Sequence, residues 1–384
     1  MISGLSSQAF DKFTKIASTL NNSEIEDWKK QGGKVVGYFC SFIPEELFIA
    51  AGILPFRMRG TGSTATDKAD EYFSDNNCSF PRHCFNQALM NQYDFLDGVV
   101  VGTSCDNLRR IYDNWKISSA KSPFLYLMDH ARTSGEVMIE YECLELAKLK
   151  AALEEHFNVK ITDEKLWNAI KLTNTTRRLQ QQLYDLRKLD SPPITGAEMV
   201  PIMVAGVSMP KEKYNADLTT LLNELKGVSS KQDYRARIMI VGTGQDDTFL
   251  CDLVENQGGL VVMDQACWGS RLMHKPIAET GNDPLQAIAN HHILDVPFCA
   301  KINNAFDKRA QFVLDMIKEY RVNGVIIEHF TSCEPWGVDA VMLKPRLDEV
   351  KIPNIQLVRE YIPSQIGQMT TRVGAFLEMV GGVL

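Results

Sequence analysis

The chain has 384 residues, 45% of them hydrophobic and 23% charged, with 41 basic against 48 acidic side chains and a net charge of −7. That composition excludes a disordered or collagen-like chain, and at about 150 residues per domain it leaves room for two or three lobes. No basic block stands out, so no nucleic-acid partner is expected. The longest apolar run, Met199 to Met209, falls short of the ~18 residues of a membrane span, so no membrane partner is expected either. The opening residues lack a basic start followed by an apolar stretch; we expect no secretory signal and a cytoplasmic location.

In chain order, Phe10, Phe13 and Ile16 stand at helical spacing in a helical first segment. Residues 34–39 are a short β-rich run. Residues 44–52 read as a helix with proline near its start and glycine at its end. Residues 54–59 and 95–102 are strands, 108–115 a helix and 124–128 a strand. This alternation predicts a parallel α/β layer. From 135 to 189 leucines and charges recur at helical spacing; a loop at 191–196 follows, then more helix to about 231. A second alternating series begins at 237–244. It continues through strands at 259–264, 324–328 and 355–359 and helices at 310–320 and 368–380. The expectation is two flavodoxin-like (Rossmann-like) parallel-sheet lobes joined by a helical segment. The boundaries are 1–30 (N-terminal helical), 31–134 (first lobe), 135–231 (helical bridge) and 232–384 (second lobe).

Nine cysteines are present, and an odd number in a reducing compartment fits a disulfide framework poorly. They are either small packing residues or thiolate ligands of a metal. Position separates them. Strand 95–101 runs into Gly102-Thr-Ser-Cys105-Asp, and strand 325–328 runs into His329-Phe-Thr-Ser-Cys333-Glu. Both cysteines fall where ligands collect in open α/β sheets, beyond the carboxyl ends of the strands. Cys78 lies in a loop upstream and would close over the same cleft. No Cys-x-x-Cys pair exists, which excludes a zinc ribbon. Three widely spaced thiolates suit an iron–sulfur cluster with one iron left open, and small buried cysteines placed there by packing alone remain the alternative.

The run Gly37-Tyr-Phe-Cys-Ser-Phe-Ile-Pro-Glu-Glu-Leu-Phe-Ile-Ala-Ala-Gly-Ile-Leu-Pro-Phe-Arg resembles the catalytic subunits of 2-hydroxyacyl-CoA dehydratases and ATP-dependent benzoyl-CoA reductases. So do Asp94-Phe-Leu-Asp-Gly-Val-Val, Ser104-Cys-Asp, Gly324-Val-Ile-Ile and the ending Gln368-Met-Thr-Thr-Arg-Val-Gly-Ala-Phe-Leu-Glu. The resemblance spans residues 30–380. It implies a 4Fe-4S cluster on Cys78, Cys105 and Cys333 and a heterodimer with a related second catalytic subunit. It also implies an acyl-CoA substrate and a separate ATP-hydrolysing activator that supplies low-potential electrons. The absence of a Gly-x-x-x-x-Gly-Lys-Ser/Thr loop agrees with ATP being handled elsewhere. Gly242-Thr-Gly244-Gln reads either as a phosphate loop or as a plain strand-to-helix turn.

Within the family, dehydratases form a ketyl radical that loses water, and benzoyl-CoA reductases reduce the aromatic ring to a diene. Proton-transfer candidates are Glu45 and Glu46, of which Glu46 matches the more regular acidic position. The alternative for Glu46 is a first-turn residue favouring the helix dipole. His83 and His329, each near a proposed ligand, would donate a proton or a hydrogen bond, or are structural. Cys84, Cys267 and Cys299 depart from the three-cysteine pattern. Some relatives use extra cysteines to hold an 8Fe-9S double-cubane cluster; Cys78, Cys84, Cys105, Cys299 and Cys333, with Cys267 as a sixth, would supply one. Otherwise these three are packing residues. The extra thiols tilt the expectation to the reductase branch, with a dehydratase subunit and an electron-transfer subunit without its own substrate site as alternatives. Lys344 and Arg372 are either phosphate contacts or ordinary exposed residues.

Overall fold

The structure, a computed structural model, describes residues 7–228, 233–244, 246–295 and 299–381. Parts of four sequence expectations therefore lie outside the described residues: the first six positions, the end of the helix expected to reach 231, Gln245 of the glycine turn, and residues 296–298 leading into Cys299.

Two short helices, α1 (Gln8–Ala17) and α2 (Ser23–Lys30), open the chain, started by Ser7 and Asn22, whose side chains accept from first-turn N–H groups. The first lobe follows: β1 (Lys34–Phe39), α3 (Glu45–Ala50), β2 (Ile53–Arg57), α4 (Ser79–Leu89), β3 (Gly98–Gly102), α5 (Asp106–Ile117) and β4 (Leu125–Met128). Four helices then bridge: α6 (Glu136–Phe157), α7 (Asp163–Asp185), α8 (Gly196–Gly206) and α9 (Lys211–Glu224). The apolar run at 199–209 falls mostly in α8, which a Thr195–Glu198 capping box starts and which is buried along most of its length. The second lobe comprises β5 (Ala236–Gly242), α10 (Phe249–Glu255), β6 (Gly259–Gln265), α11 (Pro284–Asn290), α12 (Phe306–Glu319), β7 (Gly324–Phe330), α13 (Glu334–Glu349), β8 (Asn354–Arg359) and α14 (Ile366–Gly381). Among the described residues no helix is long and apolar enough to cross a membrane.

Each lobe is a four-stranded parallel sheet, in order β2-β1-β3-β4 and β6-β5-β7-β8. The two orders are the same plan, so this is the two-lobed α/β flavodoxin-like fold. Alternation along the central strands sorts the cores. Val36, Tyr38 and Val100 pack on the α6–α7 side, while Val35, Phe39, Val99 and Val101 pack towards α4 and α5. In the second sheet Met239, Val241, Val325 and Ile327 face α1, α8, α9, α12 and α13; Ile238, Ile240 and Ile326 face α10 and α14. Where β5 ends, a Cβ on Gly242 would lie 1.7 Å from the Glu328 carbonyl oxygen, so only glycine lets these strand ends approach.

Candidate functional site

The carboxyl ends of β1, β2, β3, β5, β6 and β7 open onto one cavity of ≈ 130 Å³. Six cysteines line it: Cys40, Cys78 and Cys105 from the first lobe, and Cys267, Cys299 and Cys333 from the second. Phe39, Met58, Phe80, Leu108, Trp268, Phe330 and Trp336 fill the wall between them, and among the described residues no carboxylate or imidazole lines it. The thiols feel one another in a chain: Cys333 with Cys78 and Cys105, Cys105 with Cys40 and Cys299, and Cys299 with Cys267. They are distributed around the wall. Among the described residues no three Cys, His, Asp or Glu side chains converge on a point that would hold a lone ion. A sulfur-only donor set of this extent suits a sulfide-bridged polynuclear iron cluster and not a hard cation.

Cys78, Cys105 and Cys333 share a local device. Each is the N-cap residue of a helix, of α4, α5 and α13 respectively. Burial pushes the thiols of Cys78 and Cys105 up to about 12 and that of Cys333 well above its usual range. Against burial, backbone N–H groups of the following helical turn (Phe80 for Cys78, Leu108 and Asn107 for Cys105, Trp336 for Cys333) favour the thiolate. Metal binding would therefore have to displace protons. Asn107 ties the three loops together. Its Oδ1 accepts from the Cys78 N–H at 3.1 Å and its Nδ2 donates to the Ser332 carbonyl at 3.3 Å. Cys40 and Ser332 have positive φ, +82° and +60°, a conformation that costs a non-glycine residue about 1–2 kcal/mol and turns the chain sharply at two strand ends of the cavity.

Buried cations face this sulfur-lined space. Lys301 lines it, with Nζ 4.6 Å from the Phe42 ring centroid and no hydrogen-bond partner among the described residues. Arg271 lines the neighbouring polar pocket and acts electrostatically on Cys299, which the two spaces share. Its Nη2 donates to the Gly242 carbonyl at 2.8 Å, its guanidinium lies 4.9 Å from the Trp336 ring centroid, and its Nε and Nη1 find no partner among the described residues. Arg57 stacks on Trp268 at 4.3 Å and donates to the Cys267 carbonyl at 2.6 Å. Unpaired buried cations are costly unless an anion answers them, so the orphaned donors fit an anionic occupant.

A polar chamber of ≈ 70 Å³ adjoins the cavity and shares Cys299 with it. At roughly 10–15 Å³ per water, it admits only the reacting end of a larger molecule. Its wall carries two ion pairs: Arg177 Nη2–Glu46 Oε1 at 2.8 Å and Lys211 Nζ–Glu45 Oε2 at 2.7 Å. Thr173 Oγ1 donates to Glu46 at 2.7 Å and Tyr38 OH to Glu45 at 3.0 Å. Burial would raise the Glu46 pKa, but Arg177 and Thr173 outweigh it and hold the carboxyl below its usual range. His291 and His292 complete the wall. A groove of ≈ 390 Å³ approaches the cavity from another side, past Arg132, Glu334, Val338 and Met342, and shares Cys105 and Lys301 with it.

The structure thus brings Cys78, Cys105, Cys333, Cys267 and Cys299 together and adds Cys40, which sequence reasoning missed. The signal for Cys40 was its place directly after β1, at a strand end as Cys105 is, three residues beyond β3. Three proposed residues lie apart. Cys84 is fully buried in the first lobe's core near Tyr93, six positions after Cys78 on one helix and so about 240° around it. His83 pairs with Ser63, Nδ1 to Oγ 2.8 Å. His329 sits at 2.9 Å from Gln356 Nε2, on the face of β7 opposite Phe330. Lys344 is exposed and paired with Asp348, and Arg372 donates to the Gln356 carbonyl.

A family model described as 2-hydroxyglutaryl-CoA dehydratase, D-component, matches residues 40–380. The chain is 26% identical to the dehydratase subunit YjiM of Escherichia coli (strain K12), covering 97% of each chain. It is 25% identical to a benzoyl-CoA reductase subunit of Thauera aromatica, covering 94% of this chain and 95% of that one. It is 23% identical to the beta subunit of (R)-2-hydroxyglutaryl-CoA dehydratase of Acidaminococcus fermentans, covering 97% and 99%. Its two parallel sheets and a match along nearly its whole length make this chain a member of the family that unites subunits of benzoyl-CoA reductases and 2-hydroxyacyl-CoA dehydratases.

Proposed function

We propose that the chain is the iron–sulfur subunit of an ATP-dependent acyl-CoA reductase of the benzoyl-CoA reductase type. The observation that carries this reading is the wall of six cysteines, three from each lobe, with no carboxylate or imidazole among the described residues that line it. Cys78, Cys105 and Cys333 would hold one half of an 8Fe-9S double-cubane cluster, and Cys40, Cys267 and Cys299 the other. The cluster would supply the low-potential electrons, received from a separate ATP-hydrolysing activator. The protein's own residues do the rest. Phe39, Phe80, Phe330, Trp268 and Trp336 exclude water, and Lys301 and Arg57 on the same wall offset negative charge. The two ion pairs of the chamber hold the substrate's reacting end. A related second subunit is the expected partner, as the relatives are named as subunits.

The dehydratase reading has its own support in the family description and in the three N-capping cysteines, which would hold a 4Fe-4S cluster with one iron open. Iron and sulfide analysis of anaerobically purified protein separates the two. About eight irons per chain supports the double-cubane reading, about four the single cluster, and an iron-free preparation overturns both. Turnover of benzoyl-CoA against (R)-2-hydroxyglutaryl-CoA, with activator and ATP, then assigns the reaction.

A further inference from the structure

A reduction inside a closed chamber needs protons as well as electrons, and the carboxylates of the chamber wall are poor sources. Glu46 and Glu45 are tied to Arg177 and Lys211. His291 is held neutral, its pKa driven well below the usual histidine value by burial. His292 differs. Its Nδ1 lies 3.3 Å from Glu142 Oε1, and the same oxygen lies 3.3 Å from Nδ1 of His130. Glu142 is fully buried, and its Oε2 accepts from the Ala131 N–H at 3.3 Å. Phe42 covers the assembly, its ring centroid 5.6 Å from that of His130 and 5.9 Å from that of His292. Among the described residues no other acid pairs with either imidazole. A buried carboxylate between two imidazoles, one of which lines the chamber, has no counterpart in the cysteine cavity.

We infer that His292 is the proton donor of the chamber, with Glu142 and His130 as positioning residues that hold its ring in place. This rests on the reductase reading, which supplies the electrons. Glu142 takes the Nδ1–H of His292, which leaves Nε2 for the chamber. For each of the two protons that a two-electron reduction to the diene takes up, the Nε2–H bond breaks and the proton passes to the reduced atom, the imidazole being recharged from solvent between the two transfers. The imidazolium becomes a neutral imidazole that keeps its Nδ1–H on Glu142, and solvent later returns the proton. His130 holds the same carboxylate oxygen from its other side at 3.3 Å and so fixes Glu142 in place. General acids of this kind contribute about 10²–10⁴ in rate.

The test uses the iron-loaded protein with activator, ATP and either benzoyl-CoA or (R)-2-hydroxyglutaryl-CoA. His292→Ala, at wild-type iron content and melting temperature, is expected to lose about 100-fold in kcat with KM unchanged, and added imidazole to restore at least about tenfold. His292→Gln, which fills the space, is expected to be equally slow and not rescued. Activity of His292→Ala within threefold of wild type, or a loss that imidazole does not restore, overturns the inference. Nitrogen-15 spectra of histidine-labelled, metal-free wild type provide a readout that needs no variant to fold. They are expected to show His292 protonated at Nδ1, and a bare Nδ1 overturns the inference. Wild type that carries iron but does not reduce benzoyl-CoA, whether or not it turns over (R)-2-hydroxyglutaryl-CoA, overturns the reductase reading and this one with it. Active wild type beside unimpaired His292→Ala overturns this one alone.

Discussion

The two lobes share a strand order, and one of the positions at which they differ decides what stands behind the cysteine loop. In the first, Gly98-Val-Val-Val-Gly102-Thr-Ser-Cys105 leads to the cavity; in the second, Gly324-Val-Ile-Ile-Glu328-His-Phe-Thr-Ser-Cys333 does. Gly102 pairs in register with Met128, two residues before His130; Glu328 pairs with Leu357, two residues before Arg359. A Cβ at Gly102 would lie 2.7 Å from His130 Nε2, so the glycine makes room for that imidazole. In the second lobe the same place holds a fully buried ion pair, Arg359 Nε–Glu328 Oε1 at 2.8 Å, with Thr243 Oγ1 donating to Glu328 at 2.7 Å. The second lobe fixes permanent charges behind its cysteine loop. The first keeps groups that can exchange a proton. One frame thus gives two kinds of electrostatic backing, chosen by whether a strand residue has a side chain.

The largest expected effect tests whether the lobes contribute equally. Cys105→Ser and Cys333→Ser should each lose most of the bound iron and its low-potential EPR signal, and Cys84→Ser should lose none. Retention of full iron by either of the first two would break the symmetry between lobes. Next comes stability. Glu328→Gln leaves Arg359 buried without its charge partner and should cost about 3–5 kcal/mol in denaturant unfolding, whereas Gly102→Ala, which only crowds His130, should cost about 1–3 kcal/mol. The smallest effect is one of pH. Burial, reinforced by the Lys301 charge, lowers His130 to about 4 against an ordinary 6.5, despite Glu142. The unfolded chain therefore binds this proton first, and the contribution is complete above pH 6.5 and lost as pH falls towards 4. Urea unfolding across that window should show a slope of at most about 1.4 kcal/mol per pH unit from this group, and His130→Asn should flatten that share.

Much of the fold is legible in the sequence because buried parallel strands are written as local runs, such as Arg237 to Gly242 and Gly324 to Ile327. Cys105 and Cys333 are legible for the same reason: a strand end is a local event, and Thr-Ser-Cys follows both. Cys84 is within electrostatic reach of Cys78, but six positions along the helix turn it into the first lobe's core and off the cavity wall, which spacing in the sequence does not reveal. His329 misleads through the period of two in a strand, which gives the cavity Phe330 and turns the histidine away. Of the chamber only Glu45 and Glu46 are legible, and their partners are not. Glu46 meets Arg177 across 131 positions and Glu142 meets His292 across 150, and no local pattern records such pairings.

Three sulfur donors from each sheet have a consequence for biogenesis. Neither half of the chain, expressed by itself, owns more than half of the grip. Capture of inorganic iron would then act as a proofreading step: only a polypeptide whose halves have both matured and docked could be metallated, and the colour of the product would report completed assembly.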